Sequence, residues 1–453
     1  MSSRLFGTNG VRGIVNSDLN VQIAIDLGKA ISTVAPGVHA ICTDSRISGD
    51  MLKFAVSAGL MSAGSCVIDL GILPTPALQY YVKIKQLSGG VAITASHNPP
   101  EFNGIKCIAA DGTEIPREDE EKIESIYYNR SFKMSAWNHV GSLTCQSDAL
   151  RLYLESVKNK IDVEAIKSAS LCAVVDCANG AGSLTTPLFL ESLGIRVITL
   201  NCSLLGTFPG RPSEPTEENL SSLIALVKET SADIGIAHDG DADRTIFIDE
   251  RGNFVHGDRS LALIAKHIVS EKGSGLVVTP VSTSRCVEEA VSSVGGHVKY
   301  TKVGAPVVAR EMMRLGAVFG GEENGGLIFP EHQYCRDGLM TVAKMLEIIV
   351  KEGHPSQLLS YIPKYYQIKG KIGCSNEKKM MIMAKLLKYA EGMHIDTTDG
   401  MKIFLEDGWI LIRPSGTEPI LRVMVEGKTK ATATKYYEEY TTLLKDIISD
   451  LQL

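Results

Sequence analysis

VHAICTDSRISGDML, residues 38–52, decides the fold class: an apolar, β-rich run ends in small polar residues and is followed by a helix-like segment. The same order recurs in SLCAVVDCANGAGS at 170–183 and in SGLVVTPVSTSRCVEEA at 274–290. This alternation is typical of α/β units, and short strands buried on both faces predict a mainly parallel sheet. Polar residues where each helix would begin favour capping, or a ligand at the helix start.

The chain changes character after Pro363. Residues 401–427 alternate as antiparallel strands do, and residues 433–451 have the periodicity of an amphipathic helix. At 453 residues the chain is too long for one hydrophobic core. We therefore predict three α/β domains and a final α+β domain, at residues 1–148, 149–254, 255–364 and 365–453.

Bulk composition excludes several classes of protein. A formal net charge of -6 argues against a nucleic-acid partner, which would need clustered Lys and Arg. The ten cysteines show neither a CxxC pair nor a regular spacing, so neither zinc nor a disulfide framework is indicated. The sequence contains no signal peptide and no apolar run long enough to span a bilayer, so we expect a cytoplasmic location and no membrane partner.

The first motif that could carry chemistry is VAITASHNPPEFNGIK at 91–106, where an apolar strand enters a turn forced by Asn-Pro-Pro at 98–100. Ser96 lies in this turn and is expected to be exposed. A serine hydroxyl is a weak nucleophile that needs a base or a cation beside it, which His97 and Lys106 could supply. The patterns GxSxG and SxxK are absent, so acyl transfer is disfavoured. The alternative is a solvated serine in a proline-rich turn.

The second motif is ADIGIAHDGDADRTIFIDE at 232–250, with Asp239, Asp241 and Asp243 between two strand-like runs. In an extended backbone, side chains at i, i+2 and i+4 point the same way, so the three carboxylates converge. Three like charges so close need a cation, and hard oxygen ligands select Mg²⁺, Mn²⁺ or Ca²⁺. A merely solvated acidic loop is the alternative.

The spacing of these acids also suits two other sites. An EF-hand needs glycine where Arg244 stands, and helices where the flanks predict strands, so we reject it. An aspartyl-phosphate phosphatase, or a mutase of that type, also places a DxD motif after an apolar strand, with one Asp as nucleophile. This second interpretation stays open.

Glycines flank a third motif, FGGEENGGLIFPEH at 319–332, which contains Glu322 and Asn324. Glycine lets the backbone approach a ligand closely, while carboxylate and amide groups suit the hydroxyls of a sugar. A glycine-rich hairpin turn is the alternative.

The fourth motif, RPSGTEPILR at 413–422, resembles a phosphate cradle in its chemistry: backbone amides and hydroxyls form a nest between two bidentate donors. The residues concerned are Arg413, Ser415, Gly416, Thr417 and Arg422. The alternative is a surface turn whose arginines pair with Glu418 and Glu426. Two further turns, LFGTNGVRG and TKVG, offer Arg12 and Lys302.

Five motifs together resemble those of the α-D-phosphohexomutase superfamily, especially archaeal-type phosphoglucosamine mutases and phosphoglucomutase/phosphomannomutases. They are FGTNGVRG, TASHNPPEFNGIK, DGDADR, GGEENGG and RPSGTEPILRV, and they occur in the family's order from end to end. The resemblance implies three related mixed-sheet α/β domains plus a C-terminal α+β domain around a central cleft, the last closing over the substrate's phosphate.

By position in these motifs, the resemblance implies that Ser96 is a phosphoserine and holds one Mg²⁺ together with Asp239, Asp241 and Asp243. Arg12, His97 and Lys106 would surround the reacting centre. The residues implied to bind the substrate are Arg244, Lys302, Glu322, Asn324, Arg413, Ser415, Gly416, Thr417 and Arg422.

This chain departs from a common family pattern in the third motif, where many members carry Ser and His at the positions of Asn324 and Gly326. The histidine proposed as acid/base in those relatives is therefore missing. His97 and Lys106 are the candidates for that role here.

The implied activity is the interconversion of hexose 6-phosphate and hexose 1-phosphate through phospho-Ser96 and a hexose 1,6-bisphosphate, with glucose 1,6-bisphosphate or an equivalent as primer. Overall resemblance favours glucosamine phosphate, with phosphoglucomutase/phosphomannomutase specificity as the alternative. A small-molecule phosphosugar is the expected partner of a monomer or homodimer. An aspartyl-phosphate-type phosphatase and a non-catalytic phosphosugar-binding protein are the alternatives from other classes.

Overall fold

The computed structural model of the chain describes residues 4–7, 9–416 and 418–450, so Thr417 of the predicted phosphate cradle lies outside the described residues. Within these ranges the strands form four sheets, each accompanied by helices. No helix in these ranges is both long and apolar enough to cross a membrane.

The first sheet and its helices fill the N-terminal third of the chain. Its strands are β1 (Val11–Ile14), β2 (Val38–Thr43), β3 (Cys66–Ile72), β4 (Gly89–Ile93), β5 (Phe102–Ala109) and β6 (Leu143–Cys145). Its helices are α1 (Val21–Val34), α2 (Gly49–Ser62), α3 (Thr75–Ile84) and α4 (Arg117–Asn129). The strand order is β1-β5-β4-β2-β3-β6, parallel from β4 to β6 and antiparallel at β1 and β5.

The second sheet follows two helices. Its strands are β7 (Cys172–Asp176), β8 (Arg196–Leu200), β9 (Ile234–His238), β10 (Thr245–Asp249) and β11 (Phe254–Val255). The helices are α5 (Ala149–Lys158), α6 (Val163–Ser168), α7 (Thr186–Ser192) and α8 (Ser221–Thr230), with 3-10 turns at Ala181–Leu184 and Glu218–Leu220. The order is β11-β10-β9-β7-β8, in which β9, β7 and β8 are parallel and β10 and β11 antiparallel.

The third sheet repeats this mixture. Its strands are β12 (Leu276–Pro280), β13 (His297–Thr301), β14 (Phe319–Gly321), β15 (Leu327–Phe329) and β16 (Gln333–Arg336). The helices are α9 (Gly257–Lys272), α10 (Arg285–Ser292), α11 (Ala305–Leu315), α12 (Gly338–Glu352) and α13 (Pro355–Ser360). The order is β13-β12-β14-β15-β16, parallel up to β14 and antiparallel beyond it.

The fourth sheet is antiparallel throughout, as predicted for the end of the chain. Its strands are β17 (Tyr366–Gly373), β18 (Ile395–Asp396), β19 (Met401–Leu405), β20 (Gly408–Pro414) and β21 (Ile420–Gly427), in the order β17-β21-β20-β19-β18. Two helices cover it, α14 (Lys379–Tyr389) and α15 (Lys430–Asp450). The predicted fold class, three mixed α/β units and a C-terminal α+β unit, is confirmed.

Antiparallel hairpins make the first three sheets mixed rather than mainly parallel, and these hairpins carry the sequence motifs. The serine turn (94–101) joins β4 to β5, and the acidic loop (239–244) joins β9 to β10. The loop predicted to contact a sugar (322–326), called the sugar loop below for that prediction, joins β14 to β15. The phosphate loop joins β20 to β21 in the same manner. Each motif therefore lies between two paired strands, which fix both of its ends.

Apolar side chains of the described residues pack into six clusters, and two of them show how the units hold together. One continuous cluster runs through the first three units and includes Leu78, Phe189, Phe247 and Met340. Helix α12 lies deep within it, buried at every residue from Gly338 to Ile349, and its buried charges Lys344 and Glu347 pair with each other at 3.1 Å. The fourth unit encloses a separate cluster around Ile403, Val423 and Leu444. The domain boundaries given above stay a prediction.

These cores predict how fragments of the chain behave. Residues 365–453 expressed alone are expected to fold, because their apolar residues pack on one another, and to give a dispersed amide proton spectrum. Residues 149–254 expressed alone are the matched control and are expected not to fold, because Phe189 and Phe247 lose neighbours from the other units. A folded 149–254 fragment, or an unfolded 365–453 fragment, would contradict this division.

Candidate active site

Ser96 lies in the β4-β5 hairpin loop and is fully buried, so the expectation of an exposed serine is wrong. Its backbone has a φ of 53°, in the left-handed region that residues other than glycine rarely adopt. The Ser96 amide donates a hydrogen bond of 2.9 Å to Thr94 Oγ1. Strained conformations persist only where the surroundings hold them. The fold therefore imposes the position of this hydroxyl.

Arg46, from the loop between β2 and α2, holds the serine turn. Its guanidinium, paired with Asp44 at 3.1 Å, is completely buried. It donates to four backbone carbonyl oxygens at distances of 2.5–3.0 Å, those of Ser96, Asn98, Pro99 and Phe102. A single fixed cation thus satisfies most of the carbonyls that a tight buried turn would otherwise leave unpaired.

The β9-β10 hairpin brings Asp239, Asp241 and Asp243 together, with carboxylate oxygens within 4.8 Å of one another. The predicted reason, an extended backbone, is wrong. Ala242 has a φ of 54°, and its amide donates to the Asp239 carbonyl at 3.3 Å, so the loop is a tight turn. The three acids converge because His238 and Thr245 pair directly at its base.

Ser96 and the acidic loop meet although they are 143 residues apart: Ser96 Oγ donates to Asp239 Oδ2 at 2.6 Å. Gly240 permits this approach, since a Cβ there would lie 2.6 Å from the carbonyl oxygen of Ser96. Burial, and next the charges of Asp241 and Asp243, raise the pKa of Asp239 to about 7. A proton on Asp239 is therefore in competition with any cation that this loop attracts.

Lys106 on β5 compensates the other two acids. Its ammonium group, which is 1% exposed, lies 2.6 Å from Asp241 Oδ2 and 3.1 Å from Asp243 Oδ2. Thr75 Oγ1, at the start of α3, donates to the same oxygen of Asp241 at 2.6 Å. Burial alone would raise the pKa of Asp241, but Lys106 and Thr75 together hold it well below its usual value. Asp241 is thus fixed in its ionised form.

The acidic loop fits a hard divalent cation. The second oxygens of Asp241 and Asp243, both Oδ1, are buried without a hydrogen-bond partner in the described structure. Unpaired buried carboxylate oxygens are costly, and oxygen ligands of this type are those that Mg²⁺ prefers. The loop is flanked by strands rather than by the helices of an EF-hand. The acidic triad could therefore hold a metal ion.

Two further predicted residues lie beside the serine turn, Arg12 and His97. Arg12 donates to Asn98 Oδ1 at 3.1 Å and to the Ala95 carbonyl oxygen at 3.4 Å. The Nδ1 atom of His97 lies 3.4 Å from Ser96 Oγ, and burial, followed by the positive charges of Arg244 and Arg12, keeps its pKa well below the ordinary value. The imidazole is therefore neutral, and the cations beside it disfavour its protonated form.

Arg244 follows the acidic loop and points back at it. Its Nε atom lies 3.8 Å from carboxylate oxygens of both Asp239 and Asp243. This Nε atom makes no hydrogen bond in the described structure. The guanidinium is thus near the acids and has donor capacity left for an anion.

The sugar loop places Glu322 and Asn324 in the β14-β15 turn. The Glu322 carboxylate is buried and accepts from Arg336 Nη1 at 3.4 Å. Arg336 also donates to Asp243 Oδ2 at 2.6 Å, so it links the sugar loop to the acidic loop. The Asn324 side chain accepts from the Gly326 amide at 3.1 Å, which uses its oxygen within the loop and leaves its NH₂ group for a ligand.

The phosphate loop between β20 and β21 is held from below by Lys379 of α14. Its Nζ donates to the carbonyl oxygens of Ser415 and Glu418, both at 2.6 Å. Around Gly416 the space is open, since a Cβ there would meet no atom within 4 Å. The Ser415 and Glu418 amides are bonded within the loop, to the Ile420 carbonyl oxygen and to Ser415 Oγ, so the open side of the loop lies at Gly416, with a buried positive charge behind it.

Acidic partners occupy both arginines of the cradle. Arg413 Nε lies 2.8 Å from Asp399, and Arg422 donates to Glu418 at 3.0 Å. The alternative of a turn whose arginines pair with Glu418 and Glu426 is thus half right, because Glu426 instead accepts from the indole of Trp409 at 2.7 Å.

A cavity of about 840 Å³ joins these loops and receives side chains from all four units. His97, Glu214, Glu323, Arg413 and Arg422 are among the residues that line it. Lys302 is exposed beside Val303, which also lines the cavity, and the Val303 amide donates to Asp399 at 3.0 Å. Of the predicted residues, His97, Arg413 and Arg422 line this cavity, and Ser96 adjoins it through its 3.4 Å contact with His97.

Sequence reasoning missed four residues that support the site: Arg46, Thr75, Arg336 and Lys379. Each acts on a segment far away in sequence, so no local spacing could show its partner. The available signal was a cation or hydroxyl at a strand or helix end in an otherwise apolar context, which is too common to single out.

Family models of phosphoglucomutase/phosphomannomutase match the chain in four consecutive pieces. The alpha/beta/alpha domains I, II and III match residues 3–134, 151–252 and 256–366, and the C-terminal domain matches residues 371–442.

Similar proteins cover the whole chain. A phosphoglucomutase/phosphomannomutase of Thermococcus kodakarensis is 44% identical over 98% of this chain and 99% of its own. A probable phosphoglucosamine mutase of Methanopyrus kandleri is 39% identical over 99% of both. A crystal structure of a phosphoglucomutase/phosphomannomutase family protein from Burkholderia thailandensis superposes with a TM-score of 0.88 at 27% identity, over 99% of this chain and 98% of that one.

Metal binding at the acidic loop should stabilise the protein. With Mg²⁺ or Mn²⁺ at roughly 100 times its Kd, the free energy of unfolding is expected to rise by about 2.7 kcal/mol, because the ion binds only the folded state. Asp241→Asn should remove most of this gain in urea titrations. Asp50→Asn, whose side chain is 74% exposed, is the control and should keep it. Equal gains in all three proteins would rule the site out.

Proposed function

The chain belongs to the α-D-phosphohexomutase superfamily, a class of phosphate-transferring mutases, and from this premise we propose that it interconverts hexose 6-phosphate and hexose 1-phosphate through phosphorylated Ser96. The observation that carries the proposal is the 2.6 Å contact between Ser96 Oγ and Asp239. It puts a hydroxyl group capable of carrying a phosphoryl group against three acids that suit a divalent ion.

The proposed metal is one Mg²⁺, held by Asp239, Asp241, Asp243 and an oxygen on Ser96. When bound, it would neutralise charge on the phosphoryl oxygens and so favour transfer. Lys106, Arg12 and Arg244 add fixed positive charge around the same point, which a transferring phosphoryl group requires.

In the proposed reaction, the free hydroxyl of a hexose phosphate attacks phosphorus on phospho-Ser96. A new P–O bond to the sugar forms while the P–O bond to Ser96 Oγ breaks. We assign the proton of the attacking hydroxyl to His97, whose neutral imidazole lies 3.4 Å from Ser96 Oγ and can pass the proton there. The negative charge of a phosphoryl group on Ser96 would offset the cations that lower the pKa of His97. Lys106 is less suited to this role, because the two aspartates beside it raise its pKa against the effect of burial.

The hexose 1,6-bisphosphate then turns end for end, and its other phosphate returns to Ser96 by the reverse steps. One cradle can serve both orientations, because its donors recognise the phosphate that each orientation presents. Arg413, Ser415, Gly416, Thr417 and Arg422 are the proposed cradle, while Glu322 and Asn324 would contact sugar hydroxyls and Lys302 would add charge at the rim. Glucose 1,6-bisphosphate, or an equivalent, would prime Ser96.

Glucosamine phosphate is the proposed substrate, with glucose and mannose phosphates as the alternative. Names of similar proteins point both ways: the relative from Methanopyrus kandleri is called a probable phosphoglucosamine mutase, and that from Thermococcus kodakarensis a phosphoglucomutase/phosphomannomutase. The three sugars differ at C2. Comparing kcat/KM for their 6-phosphates, with Mg²⁺ and primer, decides between them, and glucosamine 6-phosphate is expected to rank first.

Ser96→Ala is expected to abolish mutase turnover and uptake of phosphate from glucose 1,6-bisphosphate, because no other group takes the place of the nucleophile. Mass spectrometry of the peptide around residue 96 checks the phosphorylation. Ser32→Ala removes another buried hydroxyl, bonded to Ser65 at 2.6 Å, and should remain active.

The same measurement separates the other classes of protein. A phosphatase would carry phosphate on an aspartate of residues 239–243 and release inorganic phosphate, and a binding protein would show neither phosphorylation nor turnover. Near-normal turnover by Ser96→Ala would end the proposal.

Arg422→Ala should chiefly weaken substrate binding. Loss of one charged hydrogen bond to phosphate is worth about 1.5 to 3 kcal/mol, seen as a higher KM. The freed Glu418 would add repulsion. Arg314→Ala is a matched control, an exposed arginine that also pairs with a nearby glutamate, and should leave KM unchanged. An unchanged KM in Arg422→Ala would remove this residue from the cradle.

A further inference from the structure

Arg336 joins two loops that the proposed function keeps separate, the metal loop and the sugar loop. Its Nη2 donates to Asp243 Oδ2 at 2.6 Å and its Nη1 to Glu322 Oε2 at 3.4 Å. The side chain is only 5% exposed, and both carboxylates are buried. Among the described residues, Arg336 is the only cation within 4 Å of the Glu322 carboxylate.

The backbone that carries Arg336 is rigid. Arg336 ends β16, where it pairs with Ile328 of β15. Asp337, the next residue, caps α12 by accepting from the Met340 amide at 3.0 Å. The guanidinium therefore extends from a fixed point, and it can set the position of Glu322 rather than follow it.

Gly326 in the sugar loop leaves the space that this arginine uses. A Cβ at position 326 would lie 2.3 Å from Arg336 Cδ and 3.0 Å from its Cγ, which are mid-chain atoms that cannot give way without moving the guanidinium. Gly321 and Gly325 have φ values of +156° and +86° and so need glycine for their backbone. Gly326 is not in that region, so space is its requirement.

We infer that Arg336 is a positioning residue that fixes Glu322 at a set distance from the metal loop, and that position 326 is glycine in order to admit it. Asp243 thereby sets the position of the sugar loop through Arg336. The Arg336 side chain fills the space that a side chain at position 326 would occupy. The inference rests on the proposed function only in assigning Glu322 to the sugar.

A double-mutant cycle tests this dependence. The variants are Gly326→Ala, Arg336→Ala and the pair, with Gly373→Ala as the control, because a Cβ at Gly373 meets nothing within 4 Å. The probe is the hexose 6-phosphate with the highest kcat/KM, bound in a calorimeter in the presence and in the absence of Mg²⁺. Steady-state KM and kcat, and phosphorylation of Ser96 by glucose 1,6-bisphosphate, are measured alongside.

Gly326→Ala is expected to weaken binding about tenfold or more in the parent protein, the size expected for a lost charged hydrogen bond. In the Arg336→Ala background the same change should have an effect of less than about twofold, because the obstructing side chain is gone. KM should rise with Kd, whereas Ser96 should still be phosphorylated. The control should match the parent protein.

Two results would overturn the inference: equal effects of Gly326→Ala in both backgrounds, or a lower melting temperature with unchanged Kd and KM. Neither result touches the proposed function, which is tested by the phosphorylation of Ser96 and by the turnover of Ser96→Ala. If Arg336→Ala does not fold, Glu322→Gln takes its place in the cycle. Gly326→Ala should then have little effect in that background, and an undiminished effect would equally overturn the inference.

Discussion

The structure depends on the compensation of buried charge at the acidic loop. Three carboxylates within 4.8 Å of one another are not stable in an apolar interior without cations. Lys106 comes from the first sheet and Arg336 from the third, while the acids belong to the second. The electrostatic requirement therefore ties three units together at one point, and the shared apolar core maintains that arrangement.

Most of the fold could be predicted from the sequence, because its signals are local. The apolar runs at Val38–Thr43, Cys172–Asp176 and Leu276–Pro280 are strands followed by helices, as the pattern indicates. The mixed character of the sheets was not visible in those runs, since strand direction is set by the hairpins that follow them. The tight turn at Ala242 was also missed, because alanine seldom adopts a positive φ.

The candidate site likewise contains residues that a local sequence pattern reveals and residues that it does not. Groups that would touch a ligand lie in glycine-rich or charged loops, so the motifs around Ser96, Asp241 and Arg413 could be found by residue type and spacing. Groups that position them could not: Arg46 binds carbonyls 50 to 56 residues away, and Lys379 binds carbonyls 36 and 39 residues away. Their partners are set by tertiary packing, which a single sequence does not encode in any local pattern.

The pairing of Arg413 with Asp399 and of Arg422 with Glu418 has a consequence for how anions enter the cleft. An incoming phosphate exchanges one set of counter-charges for another and does not neutralise a bare positive surface. The displaced carboxylates stay beside the arginines, so the cradle offers an incoming phosphate little net positive charge, and the affinity should depend only weakly on ionic strength. The cleft thereby avoids trapping polyanions that carry phosphate but lack the hydroxyls of a sugar.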